Sequence, residues 1–129
     1  MNDSTPSPRP PLDERGLPQD YPLNAELEVT PIQLQQMKES GESVRLIDCR
    51  LPWEHALTHI EGDELVPLPT VNDEAFADRE AETTIVYCRS GKRSMEFLHK
   101  AEDLGATNIK SLAGGILAWN ALTGNGPQY

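Results

Sequence analysis

The apolar run Thr84-Ile85-Val86-Tyr87 leads directly into Cys88-Arg89-Ser90-Gly91-Lys92-Arg93-Ser94, and a helical stretch follows from Met95 to Leu104. The run reads as a buried strand. A strand that ends in a cysteine and turns through a short glycine-containing loop into a helix leaves few arrangements open. Successive backbone N–H groups of such a loop converge, and the helix N-terminus adds positive potential, so the turn becomes an anion pocket. A thiol at its base is biased towards the nucleophilic thiolate. Arg89, Lys92 and Arg93 add three cations within six residues, in a chain whose net charge is -10.

The remaining composition narrows the setting. The 129 residues suffice for one domain with one core. No apolar run is long enough for a membrane span or a signal-peptide core. Residues 1–22 carry acids and few arginines, unlike a transit peptide, so a cytoplasmic location is expected. A pI near 4.6 argues against nucleic acid as a partner. Glu54 to Glu82 holds nine acids against one arginine, a net charge of -8, and reads as a solvated acidic face. Two cysteines, Cys49 and Cys88, do not make a disulfide framework. The three histidines show no metal-ligand spacing, so neither a metal nor a cofactor is expected.

Residues 1–26 hold six of the eleven prolines and few large apolar groups, and are expected to form a tail, disordered or lying along the domain surface. The domain is expected over 27–122, with a short tail at 123–129. Within it, Leu27 to Val29 reads as an edge strand, and Thr30-Pro31-Ile32-Gln33 as a capped helix start that Gly41 stops. Val44 to Asp48 reads as a strand, Trp53 to Leu57 as a short helix behind Pro52, and Glu64 to Leu68 as a strand. Thr70 to Ala77 is expected to be helical, and Thr83 to Tyr87 forms the strand before the cysteine loop. Met95, Leu98, Ala101 and Leu104 fall at helical spacing. Asn108 to Leu112 reads as a strand, and Ile116 to Leu122 as a last helix with Trp119 on its inner face. Alternating short strands and helices imply a parallel sheet covered on both faces, with the site beyond the C-terminal strand ends.

Four segments of this chain together resemble the single-domain rhodaneses, the thiosulfate sulfurtransferase-like domains. They are Leu46-Ile47-Asp48-Cys49-Arg50, His59-Ile60-Glu61-Gly62, Val86 to Ser94, and Leu112-Ala113-Gly114-Gly115-Ile116 with Trp119. The resemblance implies an α/β fold with a five-stranded, mostly parallel sheet and helices on both faces. It implies that Cys88 takes a sulfane sulfur from a small anionic donor such as thiosulfate and passes it to cyanide, a thiol or a protein acceptor. The loop N–H groups from Arg89 to Ser94 would stabilise the negative sulfur. Two positions depart from the family pattern: Cys49 stands where a small apolar residue is usual, and Asp63 follows Gly62 where alanine is usual. Asp63 is expected to alter only the loop surface.

The candidate site therefore comprises Cys88 as nucleophile, with Arg89, Ser90, Gly91, Lys92, Arg93 and Ser94 against substrate. Arg93, at the loop end, is expected to be the best placed cation, and Ser94 either bonds the sulfur or caps the helix. Asp48 and Arg50 are expected to support the loop through an ion pair. Cys49 reads as a small core residue, with a second role open as a resolving thiol for Cys88. His59 is expected to hold the fold, while His55 and His99 lie on helix surfaces. Two other functions stay open: a non-catalytic or sulfur-carrier module that binds a protein, and a small cysteine phosphatase of the same fold. The phosphatase pattern places an arginine where Ser94 stands, one residue after Arg93.

Overall fold

The structure, a computed structural model, describes residues 12–72 and 83–124. Its elements run β1 (Glu28–Val29), α1 (Pro31–Glu39), β2 (Val44–Asp48), α2 (Pro52–Leu57), β3 (Glu64–Leu65), a 3-10 turn (Leu68–Thr70), β4 (Thr83–Tyr87), α3 (Lys92–Asp103), β5 (Ile109–Leu112) and α4 (Gly115–Thr123). The strands form one sheet in the order β1-β5-β4-β2-β3. Every pairing in it is parallel.

The period of two along the central strands sorts the core into two layers. Ile47, Cys49, Val86 and Cys88 project to one face, where they meet Phe97, Leu98 and Ala101 of α3. Leu46, Ile85, Tyr87 and Leu112 project to the other and meet Leu34 of α1 with Ile116 and Trp119 of α4.

Local chemistry explains the helix starts. Thr30 accepts from the Gln33 amide at 3.1 Å while the Gln33 side chain accepts from the Thr30 amide at 2.8 Å, the reciprocal cap expected of this sequence. Gly91 precedes α3 at φ 113°, a conformation open to glycine, so the helix begins at Lys92 rather than Met95. Its buried face is correspondingly Ser94, Phe97, Leu98 and Ala101. Met95 lies at the edge of that face, and Leu104 is exposed. The strand expected over Glu64–Leu68 ends at Leu65, although the Val66 and Leu68 amides still bond to Asp48 and Cys49 carbonyls at 2.9 and 3.0 Å. The intervening Pro67 has no N–H to continue the ladder. Of the helix expected over Thr70–Ala77, residues 73–77 lie outside the described residues, as do 125–129 of the C-terminal tail.

Residues 12–26 lie against the domain. Leu17 is wholly buried in a small cluster with Ala113 and Ala118, beside Tyr21 and Leu23. Arg15 clamps Asp13 at 2.7 and 2.9 Å.

Behind the sheet, Asp48 and Arg50 form a wholly buried pair. Asp48 accepts from the Arg50 amide, Nε and Nη2, each at 2.9 Å, and Nη2 also reaches the Thr58 carbonyl. The guanidinium lies 5.4 Å from the centre of the Tyr87 ring. Tyr87 donates to Asp63 at 2.6 Å and accepts from the Ile60 amide at 3.0 Å. Asp63 is thus not a loop-surface change. Its side chain is 3% exposed, burial raises its pKa, and it anchors the turn after His59-Ile60 to β4. Asp48→Asn is expected to destabilise the domain by about 3–5 kcal/mol in chemical denaturation, because it leaves the Arg50 charge buried without a counter-ion.

Candidate active site

β2 and β4 place the reactive groups. Their register pairs Asp48 with Tyr87, and the Cys49 amide bonds to the Tyr87 carbonyl at 3.0 Å. The next residues, Cys49 and Cys88, therefore emerge side by side at the C-terminal edge of the sheet, on the α3 face. Both are 1% exposed.

The Cys88 sulfur accepts from the Gly91 amide at 3.1 Å and the Ser94 amide at 3.3 Å. Ser94 Oγ lies 3.5 Å from the sulfur, 3.2 Å from the Gly91 carbonyl and 2.7 Å from Ser111 Oγ. Cys49 lies in the same buried cluster. The neighbouring Cys49 thiol, and after it the Ser94 and Gly91 bonds, hold the Cys88 pKa down to about 5 against the opposing effect of burial. The Cys49 pKa moves up, first because its proton is shared with Cys88 and then because it is buried. The two shifts run in opposite directions and favour the thiolate at Cys88 over Cys49.

The loop sits where it does because another turn lies tightly against it. The Ile116 and Leu117 amides donate to the Cys88 and Arg89 carbonyls at 2.9 and 3.1 Å. A Cβ on Gly115 would fall 2.4 Å from the Arg89 carbonyl oxygen, so only glycine permits this approach. Tyr21 closes the other side. Its hydroxyl accepts from the Gly114 amide at 3.0 Å, donates to Glu28 at 3.2 Å, and lies 3.1 Å from where a Gly91 Cβ would be.

The structure redistributes the expected substrate contacts. Arg93 joins its two terminal nitrogens to the Glu54 carboxylate at 2.7 and 2.9 Å, and so ties the first turn of α3 to the first turn of α2. Glu54 is buried, its pKa is lowered chiefly by Arg93, and it also accepts from the Leu51 amide at 3.0 Å. Arg93 is therefore a brace first. Ser94 is the third residue of α3, facing the sulfur, and not its cap. Arg89, Ser90 and Lys92 are exposed around the mouth, and Gly91 is buried beneath it.

Asp48 and Arg50 lie on the opposite face of the sheet from the sulfurs, joined in a buried ion pair. The acidic stretch is not merely a solvated face: Glu54 holds Arg93, Asp63 holds Tyr87, and Glu64 pairs with Arg45 at 2.8 Å. Asp73 to Glu82 lie outside the described residues.

His55 is not a plain surface residue. Its Nδ1 bonds Asp48 at 2.9 Å, and its ring stacks on His59 at 4.1 Å. His59 Nδ1 donates to the His55 carbonyl at 3.1 Å. Against the expectation of no metal-ligand placement, His55, His59 and Asp63 bring one ligand atom each within 4.8 Å of one another. The rings are nearly parallel, at 14°, and so do not aim their lone pairs at one point. The reading of the sequence passed over Glu54, Ser111 and Tyr21. Glu54 carried a signal, as an acid three residues beyond Leu51 at a helix start. Ser111 and Tyr21 carried none that is local.

The profile of the Rhodanese-like domain matches residues 30–122. The chain belongs to that family. It is 37% identical over 93 residues to the probable adenylyltransferase/sulfurtransferase MoeZ of Mycobacterium tuberculosis, covering 70% of this chain and 24% of that protein. It is 32% identical over 95 residues to the thiosulfate sulfurtransferase GlpE of Pseudomonas paraeruginosa, covering 73% of this chain and 84% of that one. A rhodanese-like domain protein from Staphylococcus aureus superposes with a TM-score of 0.66 at 25% identity, covering 72% of this chain and 90% of that one. The chain thus spans about a quarter of the first of these relatives and most of the second. No helix of the described residues is long and apolar enough to cross a membrane. Leu17 and Tyr21 fall before the residues that the family model of this rhodanese-like domain matches.

Tyr21→Phe removes the acceptor of the Gly114 amide. A loss of about 1–3 kcal/mol is expected in denaturant unfolding, the cost of an unpaired buried N–H.

Proposed function

We propose that the protein is a sulfurtransferase that carries sulfane sulfur on Cys88. The observation that supports it best is the Cys88 sulfur itself, buried at the base of a glycine turn and bonded by two backbone amides, below exposed Arg89 and Lys92. The thiolate attacks the outer sulfur of an anionic donor such as thiosulfate. A Cys88 S–S bond forms, the donor S–S bond breaks, and its electron pair leaves with sulfite. The terminal sulfur of the persulfide is anionic, and the same preorganised donors suit it. A thiol, a protein sulfur acceptor or cyanide then takes that sulfur and restores the thiolate. Arg89 and Lys92 draw the anionic donor to the mouth, while Arg93, held by Glu54, keeps the loop in shape. The chemistry requires no cofactor.

Purified protein is expected to catalyse thiosulfate-to-cyanide transfer, and Cys88→Ser to abolish it with the fold intact, since a hydroxyl forms no persulfide. Near-normal turnover by Cys88→Ser would contradict the proposal. Cysteine-dependent hydrolysis of an aryl phosphate, without sulfur transfer, would favour the phosphatase alternative. A reactive Cys88 without either activity would favour a carrier or binding module. Neutralising Arg89 and Lys92 together is expected to impair thiosulfate more than an uncharged donor, with the difference shrinking at high salt.

A further inference from the structure

We propose that Cys49 resolves the Cys88 persulfide from within the same chain, releasing sulfide and closing a Cys49–Cys88 disulfide. This rests on the sulfurtransferase reading and adds a second fate for the bound sulfur. Cys49 and Cys88 follow the paired residues Asp48 and Tyr87 of adjacent parallel strands. Such neighbours lie about 4.7–4.9 Å apart, inside the range of about 4.4–6.8 Å between Cα atoms that disulfides span. Both side chains project to the α3 face, in one cluster with Ile47 and Val86. The Cys88 sulfur therefore has a second thiol on the neighbouring strand and on its own face of the sheet.

The reaction is Cys88–S–S⁻ plus Cys49–SH giving Cys88–S–S–Cys49 plus HS⁻. Cys49 sulfur attacks Cys88 Sγ, the bond from Sγ to the terminal sulfur breaks, and its electron pair leaves with that sulfur. The Cys49 proton goes to the departing sulfide. The two cysteine sulfurs are each oxidised by one electron, and the sulfane sulfur is reduced by two, so no outside oxidant enters. In the resting pair, the bond to the Cys88 thiolate is the largest influence holding the proton on Cys49. Sulfur loading moves the negative charge outward to the terminal atom and weakens that hold. The terminal sulfur is the outermost atom of the persulfide and the one an external acceptor meets first, whereas Cys49 lies on the sheet beside Cys88. An external thiol entering by the mouth that admits the donor then reopens the disulfide and restores the resting pair.

The full chain, fully reduced and held without oxygen, is treated with thiosulfate alone and desalted, and its intact mass and released sulfide are measured. The wild type is expected to release sulfide in amounts stoichiometric with the chain and to lose two hydrogens, with peptide mapping linking Cys49 to Cys88. Cys49→Ala and Cys49→Ser are expected to gain one sulfur, keep it, and release no sulfide until a thiol is added. A wild type that holds the extra sulfur as stably as both variants would overturn the resolving role and leave the sulfurtransferase reading standing. Folded variants and wild type that never gain sulfur, release sulfide or form the disulfide would overturn both.

Discussion

The parallel register of β2 against β4 governs both sides of this molecule. Five matched pairs, Val44 with Thr83 through Asp48 with Tyr87, fix which side chains face which layer. A slip of β2 by one residue would send Cys49 behind the sheet and the Asp48–Arg50 pair against α3, parting the two sulfurs. In the register observed, the two cysteines Cys49 and Cys88 and the polar set Asp48, Arg50, Tyr87 and Asp63 occupy opposite faces at the same sheet edge. The supporting polar groups hold that edge without touching the sulfurs. A buried ion pair adds little net stability but penalises any arrangement that separates its members.

Local geometry rather than net charge sets the surroundings of Cys88 in this negative chain. At a Debye length near 8 Å in physiological salt, distant acids count little at the loop. The near groups are two inward amides, the Cys49 thiol, and cations of which Arg93 is already neutralised by Glu54. Arg93 thereby acts on shape, binding α2 to α3 around the loop. The thiolate is stabilised chiefly by hydrogen bonds fixed in place before substrate arrives, which is where preorganised sites gain most.

Much of this was legible in the sequence, because the strand–cysteine–glycine–helix passage specifies its own geometry. The β4 strand, the Thr30 cap, the inward Trp119, the paired Asp48 and Arg50 and the place of Cys88 at a strand end all followed from local pattern. The start of α3 did not: Lys92 and Arg93 look like loop cations, and only the left-handed Gly91 moves the helix boundary before them. Arg93 looks free in the sequence because its partner Glu54 lies thirty-nine residues earlier, and the helix-start signal that marks Glu54 points to no distant cation. Tyr21 lies in a proline-rich segment whose contacts with Gly114 cross ninety-three residues, beyond the reach of periodicity or capping rules. Asp63 was read as surface because its partner, the Tyr87 hydroxyl, arrives from another strand.

The central claim is that this loop holds Cys88 as a thiolate at neutral pH. The direct measurement is the ultraviolet absorbance of thiolate against pH in the folded protein, taken as the difference between wild type and Cys88→Ala. The expected difference signal has its midpoint near pH 5, where the Cys49, Ser94 and Gly91 bonds place it. A midpoint near the ordinary cysteine value of about 8.5 would contradict the claim.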